Sequence, residues 1–450
     1  MKVMIIGAGE VGFHVAKALS EENYDITVID IDPVKCRRAS EHLDVIVVEG
    51  NGATPKILNE ARVGEADYVL CLTRVDEVNL IASQQAHKLG ANKIIARLRN
   101  QQYTTQESII RPEKFGVDVV IHPEKAACEE IIRLVHHPYA VQAVNFESGR
   151  LTMLGIHIKG DCENLQNKSL GEICRENTHF RFGVIAVLRG QETIIPWAEF
   201  RFQGGDVGYF IIKTSDVENL LGLLEMKVTT THRVMVLGGS KIGRSLASDL
   251  PSDTVNVRLV DYNRPKAGQI SHIIEESMVI YGDGTDIEFL KSENIQDVDS
   301  FIAVTENEKT NLIAGLLAKH LGAKQSIIHV STTEYIPTIQ EIGIGAVISK
   351  NLSTVNSILK ELHTDMTEIP VVTFDEIDVD VIEFQPDPNS LVTKHMLKEL
   401  NFPDDSIVGV INHHGKIRIA HGTSLLTEDD TALVFAKPKA IKKLKKLFSA

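Results

Sequence analysis

The sequence predicts an α/β fold that is built twice in tandem. Three observations lead to this prediction: a repeat that spans half the chain, short apolar runs that alternate with helical patterns, and a glycine-rich turn after the first apolar run of each half. Because each copy of a duplicated unit folds to the same topology, the repeat decides the domain organisation.

The repeat is clearest in one segment of each half. NLIASQQAHKLGANKIIARL begins at Asn79, and its counterpart NLIAGLLAKHLGAKQSIIHV begins at Asn311, 232 positions later. Thr73 and Thr305 keep the same separation. We therefore predict a tandem duplication of a half-length unit.

The first part of each half alternates strand-like and helix-like segments. In the first half the strand-like segments are short and rich in β-branched residues: KVMII, ITVID, VIVVEG, YVLCLT, KIIARL and VVIHP. Helical patterns such as VGFHVAKALSEE lie between them. Buried strands that alternate with helices favour a Rossmann-like, doubly wound parallel sheet.

The second part of each half has a different pattern, with strands joined by turns. The first half contains GVIAVLRGQETIIP and GGDVGYFIIK, and the second contains IVGVINHHGKIRIAHG and EDDTALVFAK. Such segments are typical of a small α+β domain. We therefore predict four domains, large, small, large and small, at residues 1–138, 139–230, 231–365 and 366–450.

Composition excludes several classes of function. A formal net charge of -14 argues against sequence-independent nucleic-acid binding, which needs an excess of Lys and Arg to replace phosphate counterions. No apolar run approaches the roughly 18 residues that a membrane-spanning helix needs, and no leader-like segment opens the chain, so we expect a cytoplasmic protein with no direct membrane span. The five cysteines never form CxxC, so neither a disulfide framework nor a zinc site is expected.

The first candidate nucleotide site is the turn GAGEVG, which follows the first strand and opens a helix. Gly7 permits the tight turn, Gly9 lets the backbone approach a phosphate, and Gly12 permits close helix packing. Asp30 ends the second strand 18 residues after Gly12, where its carboxylate can accept ribose hydroxyls. This acid disfavours NADP but does not separate NAD or NADH from ATP or ADP.

Further residues are expected at the carboxyl ends of the following strands, where the crevice of such a sheet lies. Arg97 is preferred over Arg99 as a phosphate partner, because a planar guanidinium suits that role. A loop turn, a helix cap or a solvated edge are the open alternatives. The rim residues are Asn51, Gly52, Thr73, Arg74 and Arg97.

The second copy of the turn reads GGSKIG, in which Ser240 replaces Gly9 and its side chain intrudes on the phosphate path. Ser240 and Lys241 can donate hydrogen bonds to an oxyanion, which compensates in part. Asp261 keeps the spacing of 18 from Gly243, but His329 falls where Arg97 stood. We expect the second site to be weaker, different in its ligand, or vestigial.

The whole chain resembles the TrkA family, the cytosolic regulatory subunits of bacterial Trk potassium uptake systems, which consist of tandem RCK (KTN) domains. The resemblance rests on GAGEVG with Asp30, GNGATP, LTRVDEVN and ARLRN, and on their counterparts GGSKIG with Asp261, GDGTD and VTENEKTN. It implies a homotetrameric gating ring beneath a TrkH-type potassium-transporting membrane protein, at the inner face of the plasma membrane, which binding of NAD, NADH, ATP or ADP alters. The departure at Ser240 leaves the second ligand open.

The resemblance also implies which residues contact nucleotide. In the first unit these are Gly7, Ala8, Gly9, Glu10, Val11, Asp30, Thr73, Arg74 and Arg97. In the second unit they are Gly239, Ser240, Lys241, Ile242, Gly243, Asp261 and Thr305.

Two other classes of function compete with a regulatory protein. An NAD-dependent oxidoreductase would need a substrate domain with a positioned general base, but the second half repeats the first and the small domains hold no such motif. A redox-sensing transcription regulator would need a basic DNA-binding helix, whereas the sequence opens on the sheet. We expect a regulatory protein with no catalysis of its own.

Overall fold

The structure is a computed structural model that describes residues 1–21, 24–104, 108–146, 149–227, 230–342, 345–364, 370–374, 377 and 379–449. These residues form two compact units. The first unit contains Met1–Ala127 and Ser349–Leu362, and the second contains Cys128–Ile348 and His363–Ala450.

In the first unit, six strands of the described chain form a sheet in the order β3-β2-β1-β4-β5-β6. The strands are β1 (Lys2–Ile6), β2 (Asp25–Asp30), β3 (Ile46–Glu49), β4 (Tyr68–Cys71), β5 (Lys93–Arg97) and β6 (Val119–Ile121). Every neighbouring pair is parallel. The order reverses at β1, so the predicted doubly wound parallel sheet is confirmed.

Helices connect the first five strands: α1 (Glu10–Glu21), α2 (Pro33–His42), α3 (Pro55–Glu60) and α4 (Asp76–Leu89). A further helix, α5 (Pro123–His136), follows β6. Local sequence explains where several of them begin and end. Helix α2 begins after Asp32, whose carboxylate accepts a hydrogen bond from the Val34 N–H, and helix α4 ends at Gly90, whose φ of 100° favours glycine. Ile6, Ile29 and Ile94 belong to the core beneath α4.

The first unit also contains a helix from the second half of the sequence, α13 (Lys350–Thr364), of which residues 350–362 fall in this unit. Periodicity alone does not predict this assignment, because an amphipathic pattern shows which face of a helix is buried but not which sheet that face covers.

The second unit repeats the parallel sheet, in the order β14-β13-β12-β15-β16-β17. Its described strands are β12 (Arg233–Leu237), β13 (Asn256–Asp261), β14 (Met278–Tyr281), β15 (Ser300–Ala303), β16 (Gln325–Val330) and β17 (Ala346–Ser349). Its helices are α8 (Lys241–Asp249), α9 (Arg264–Ser271), α10 (Ile287–Ser292), α11 (Glu308–His320) and α12 (Ile336–Glu341). Most of α5 falls in this unit, where the Gln325 side chain donates a hydrogen bond to the Leu134 carbonyl at 3.2 Å.

Two antiparallel sheets complete the second unit. The first, ordered β10-β9-β11-β8-β7, is made of β7 (Gln142–Phe146), β8 (Leu151–His157), β9 (Phe182–Arg189), β10 (Glu192–Ile194) and β11 (Val207–Lys213). The second, ordered β18-β19-β22-β20-β21, is made of β18 (Pro370–Phe374), β19 (Val379–Phe384), β20 (Ser406–His413), β21 (Lys416–Ile419) and β22 (Asp430–Ala436). The two sheets have the same topology, as the duplication predicts.

The two antiparallel sheets share one apolar core. Ile185 and Phe146 of the first sheet lie in the same cluster as Val410 and Phe435 of the second, and the rings of Phe146 and Phe435 meet edge to face with centroids 6.4 Å apart. The segments that form these two sheets also contain the helices α6 (Leu170–Glu176), α7 (Val217–Leu223), α14 (Leu391–Lys394) and α15 (Ile441–Phe448).

In the described part of the chain, no helix combines the length and the apolar character that crossing a bilayer requires. The five cysteines are unpaired, and all but Cys174 are buried.

Candidate nucleotide sites

The glycine turn of the first half lies between β1 and α1, against the end of β4. Gly7 has a φ of +111°, and a Cβ built there would lie 3.0 Å from the Thr73 nitrogen. A Cβ on Gly12 would lie 1.8 Å from the Gly7 carbonyl oxygen, so only glycine lets the helix start this close to the turn. A Cβ on Gly9 would meet no atom within 4 Å, which leaves open space in front of the N-terminus of α1.

Asp30, the last residue of β2, ties the turn to the sheet. Its Oδ2 accepts a hydrogen bond from the Ala8 N–H at 2.6 Å, and its Oδ1 accepts one from the Asp32 N–H at 2.8 Å. The side chain is only partly buried, and each carboxylate oxygen retains a lone pair. Asp30 can therefore accept the hydroxyls of a ribose, as its position predicts.

The other residues of the turn fill the remaining roles. Ala8 and Val11 are both buried at 2% exposure, so their side chains pack in the core. Glu10 forms an ion pair with Arg38, with Oε1 and Nη1 2.7 Å apart, and the Arg38 guanidinium lies 4.2 Å from the centroid of the Phe13 ring. These contacts fix the first turn of α1 against α2.

A buried asparagine connects the ends of β4 and β5. The Asn79 Oδ1 accepts hydrogen bonds from the N–H and the hydroxyl of Thr73 at 2.9 and 2.7 Å, and its amide donates to the Arg97 carbonyl at 2.7 Å. Thr73 and Arg97 are thus brought to one rim, although the Thr73 hydroxyl donates to Asn79. Asn79 is not among the predicted rim residues, although it is the first residue of the repeated NLIA segment, which is a signal for it.

Arg97 is 7% exposed, and its Nε has no hydrogen-bond partner among the residues that the structure describes. Burial is the main cause that lowers the pKa of its guanidinium. An arginine nevertheless keeps its charge at neutral pH, so this site presents a desolvated cation.

The other three predicted rim residues are Asn51, Gly52 and Arg74. Asn51 is exposed and its Oδ1 accepts a hydrogen bond from the Ala53 N–H, which makes it a turn residue. A Cβ on Gly52 would lie 2.3 Å from the Cγ2 of Ile6, so glycine permits close packing there. Arg74 is exposed at the end of β4, and its charge acts on Arg97.

The second half preserves the backbone of the turn. Gly238 has a φ of +107°, and a Cβ on Gly243 would lie 1.9 Å from the Gly238 carbonyl oxygen. The Asn311 Oδ1 accepts hydrogen bonds from the N–H and the hydroxyl of Thr305, and its amide donates to the His329 carbonyl at 2.9 Å. The duplicated scaffold is therefore intact, including the asparagine bridge.

Ser240 caps the helix that follows the second turn. Its Oγ accepts a hydrogen bond from the Gly243 N–H at 3.2 Å and donates one to the Val304 carbonyl at 2.7 Å. The Ser240 hydroxyl thus accepts from a helix N-terminal N–H that would otherwise be available to an anion. Because this hydroxyl already donates its hydrogen to Val304, it has no donor left for an anion. Of its two neighbours in the turn, Lys241 is exposed, whereas Ile242 is buried.

The carboxylate of Asp261 is also inaccessible to a ligand. It is 2% exposed, accepts a hydrogen bond from the Gly239 N–H at 2.7 Å, and forms an ion pair with Lys266, whose Nζ lies 3.0 Å from Oδ2. A Cβ on Gly239 would lie 2.4 Å from the Cδ1 of Ile270. The space around the ribose acid of the second half is therefore filled by the protein's own side chains.

The two sites thus differ in what they offer to a ligand. The first presents an open helix N-terminus, a partly exposed carboxylate and a desolvated arginine, which fit the phosphates and ribose of an adenine nucleotide. The second satisfies the equivalent groups internally. Among the described residues of the two turns and their rims, the contacts are those of binding and capping groups.

Family models match three parts of the chain. The TrkA-N domain matches residues 3–123 and 234–350, and the TrkA-C domain matches residues 381–449. Similar curated proteins include Trk system potassium uptake protein TrkA homolog 1 of Methanosarcina mazei, 31% identical with 100% of both chains covered, and the TrkA homolog of Archaeoglobus fulgidus, 32% identical with the same coverage. Trk system potassium uptake protein TrkA of Halomonas elongata is 29% identical, with 100% of this chain and 98% of the relative covered.

Solved structures show the same fold. The GsuK channel bound to NAD matches 99% of this chain and 78% of its own, with a TM-score of 0.58 and 17% identity. The GsuK RCK domain matches 99% of this chain and 94% of its own, also with a TM-score of 0.58 and 17% identity. The tandem arrangement of parallel and antiparallel sheets therefore occurs in RCK-domain proteins.

Proposed function

Because this chain belongs to the TrkA family of Trk system potassium uptake proteins, we propose that it regulates potassium uptake by sensing a nucleotide. The observation that carries this proposal is the pair of unequal sites: an open one at Gly9 and Asp30, and a closed one at Ser240 and Asp261. A regulatory protein needs a ligand-binding crevice but no reacting groups, and the described residues of both sites fit that description.

The ligand of the first site is NAD or NADH, with ATP or ADP as the alternative. The partly exposed Asp30 would accept the free ribose hydroxyls that these nucleotides share, and the N-terminus of α1 would face their phosphates. The NAD in the GsuK channel structure supports the first choice. Bound nucleotide would supply charge and contacts here, and no chemical step follows from it.

The second site does not take the same nucleotide with comparable affinity. To bind, a ribose would have to displace Lys266 from Asp261, and a phosphate would have to displace the Ser240 hydroxyl from the Gly243 N–H. Both displacements cost free energy that the first site does not require.

We assign four domains to the chain, with boundaries after residues 138, 230 and 365. The parallel strands β1–β6 and β12–β17 and the antiparallel strands β7–β11 and β18–β22 support this division. The boundary between residues 365 and 366 lies outside the described residues.

The partner is a TrkH-type potassium-transporting membrane protein, beneath which four copies of this chain form a gating ring at the cytoplasmic face of the membrane. Nucleotide binding in the first crevice changes the angle between adjacent large domains, and the ring passes this movement to the pore. Such a ligand acts only by its preference for one ring state, since equal affinity for both states shifts nothing.

Titration of NADH, NAD, ATP and ADP into the purified chain by calorimetry tests this function, together with potassium flux in vesicles that hold the membrane partner. We expect one strong site per chain and a flux that depends on the nucleotide. Turnover of NADH with a small substrate would instead support an oxidoreductase, and flux that ignores every nucleotide would contradict the proposal.

A further inference from the structure

A cluster of charged side chains lies within the first unit, at the end of β5. Arg97, Arg99 and Arg74 come from the first half of the sequence, and Lys350 is the first residue of α13, from the second half. Glu124 faces two of these cations. Its Oε1 lies 3.4 Å from the Nε of Arg99 and 3.6 Å from the Nζ of Lys350. One carboxylate oxygen is thus shared by cations from both halves.

Arg97 is the most buried member of this cluster. With 7% exposure and an Nε that lacks a hydrogen-bond partner among the described side and main chains, its charge is only partly compensated. A buried arginine of this kind is favoured when an anion approaches its free donor. The carboxylates whose charges act on it are Glu124 and Asp76, and Asp76 accepts hydrogen bonds from the N–H groups of Arg99 and Asn100.

Lys350 is held in the same environment. Its side chain is 25% exposed, and the side chain of Glu124 is 11% exposed. Burial, together with the charges of Arg99 and Arg97, lowers the pKa of the Lys350 ammonium. An additional anion beside these cations would relieve their mutual repulsion.

The cluster adjoins the first nucleotide site. Asn79 joins the Arg97 carbonyl to Thr73, and a Cβ on Gly7 of the glycine turn would lie 3.0 Å from the Thr73 nitrogen. The turn and the strand that carries Arg97 are thus joined through Asn79 and Thr73, which puts the cluster beside the end of the sheet where a nucleotide phosphate would bind.

We propose that Lys350 is a phosphate-binding residue of the first nucleotide site, supplied by the second half of the chain. In the absence of nucleotide its ammonium pairs with the Glu124 carboxylate, and a nucleotide phosphate replaces that carboxylate on binding. This inference rests on the proposed function. Among the nucleotides considered for this site, ATP makes the fullest use of Lys350, because its terminal phosphate carries the most charge.

Among the residues that the structure describes, the second half does not repeat this cationic cluster. His329 and Ser331 occupy the positions of Arg97 and Arg99, and the Ser331 N–H donates a hydrogen bond to Glu308 at 2.9 Å. The phosphate subsite was thus built once, in the half whose site is open.

The test measures affinity for AMP, ADP, ATP and NADH by calorimetry in the full chain and in three variants: Lys350→Gln, Glu124→Gln and, as a matched control on the same helix, the exposed Lys360→Gln. We expect Lys350→Gln to weaken ATP binding by about tenfold, the value of one charge-assisted contact, and to leave AMP unchanged. Glu124→Gln should strengthen ATP binding by severalfold, because the competing carboxylate is gone. Lys360→Gln should match the wild-type chain.

The expected changes in ATP affinity have opposite signs in Lys350→Gln and Glu124→Gln. Loss of an ion pair with a purely structural role would instead weaken binding in both variants. Equal ATP affinity in Lys350→Gln and wild type, or a parallel loss of AMP and ATP in both variants, would overturn the inference while nucleotide sensing stands. If the wild-type chain binds none of the four nucleotides, the proposed function itself fails.

Discussion

The Nζ of Lys266 lies 3.0 Å from the Oδ2 of Asp261, so the ribose acid of the second half is held in an ion pair. The equivalent residue of the first half, Lys35, lies 3.4 Å from Asp32 instead and leaves Asp30 accessible. Two copies of one scaffold therefore differ in the accessibility of this acid, and the difference follows the direction that one lysine takes. The predictions below depend on that difference and on the contacts that surround it.

Replacement of the two equivalent acids should have different effects. Asp30→Ala removes a carboxylate that is free to accept ribose hydroxyls, so we expect nucleotide affinity to fall by about 10- to 100-fold. Asp261→Ala removes a buried hydrogen-bonded carboxylate, so we expect a loss of about 2 kcal/mol in the free energy of unfolding with little change in affinity. Calorimetric titration and urea unfolding of both variants check these outcomes. A large loss of affinity in Asp261→Ala would show that the second site binds the nucleotide.

The second site should open when its two internal partners are removed. In the double variant Ser240→Gly and Lys266→Ala, the Gly243 N–H and the Asp261 carboxylate lose their side-chain partners. We expect the number of nucleotides bound per chain to rise from one to two, as measured by calorimetry. The serine cap itself contributes little here, since replacing a Ser cap with Gly costs only a few tenths of a kcal/mol.

The matched control for that experiment is Lys35→Ala in the first half, because Lys35 contacts Asp32 rather than the ribose acid. It should leave both the affinity and the number of sites unchanged. A double variant that still binds one nucleotide would mean that closure of the second site lies in the backbone and in Ile270, not in these two side chains.

Loss of the asparagine bridge should destabilise both halves but impair only one site. Asn79→Ala and Asn311→Ala each leave buried donors and acceptors of a threonine unpaired, so we expect each to cost about 2 to 4 kcal/mol. Only Asn79→Ala should also weaken nucleotide binding, because it releases Thr73 and the Arg97 carbonyl. Urea unfolding and calorimetric titration of both variants check this expectation. An equal fall in nucleotide affinity in the two variants would contradict it.

Acid should destabilise the protein before its carboxylates titrate. Burial is the main cause that lowers the pKa of His122 and of His137 from 6.5, so the unfolded chain binds protons more tightly at both positions. Stability is therefore full above about pH 6.5 and falls as the pH drops through 6.5 toward the lowered folded values. Melting temperatures recorded between pH 7.5 and 5 check the direction.

The variants that assign this effect are His122→Gln and His137→Gln, with the exposed His272→Gln as control. The melting temperature should depend less on pH in the first two variants than in the wild-type chain. In the control variant its dependence on pH should match that of the wild-type chain. An unchanged slope in all three would place the acid sensitivity in other groups.

Much of the fold follows from local patterns. Runs such as KVMII and ITVID become parallel strands because their apolar side chains are buried on both faces, as β-branched sequences between helices predict. The turn GAGEVG and Asp30 come together because carboxyl ends of neighbouring parallel strands meet at one edge of the sheet. The two antiparallel sheets share a topology because one unit was copied.

Other features depend on contacts between distant segments. Which sheet a helix covers is decided by packing, so the presence of α13 in the first unit could not be read from its periodicity. The sequence also does not decide whether the second site is weaker, different in its ligand or vestigial, because a lysine five residues after an acid has several accessible directions. The role of Asn79 depends on the ends of β4 and β5 that it joins, and a helical pattern does not indicate such a contact.

The location of α5 and α13 bears on how this chain can be divided. Each half of the sequence contributes a helix to the unit that holds the parallel sheet of the other half. A chain cleaved once near residue 230 would thus leave two fragments that each complete the other, and they should remain associated without a covalent link. Each copy of the duplication thus has a helix whose packing partners come from the sequence of the other copy, which gives a reason for both copies to be retained although the crevice of the second is filled.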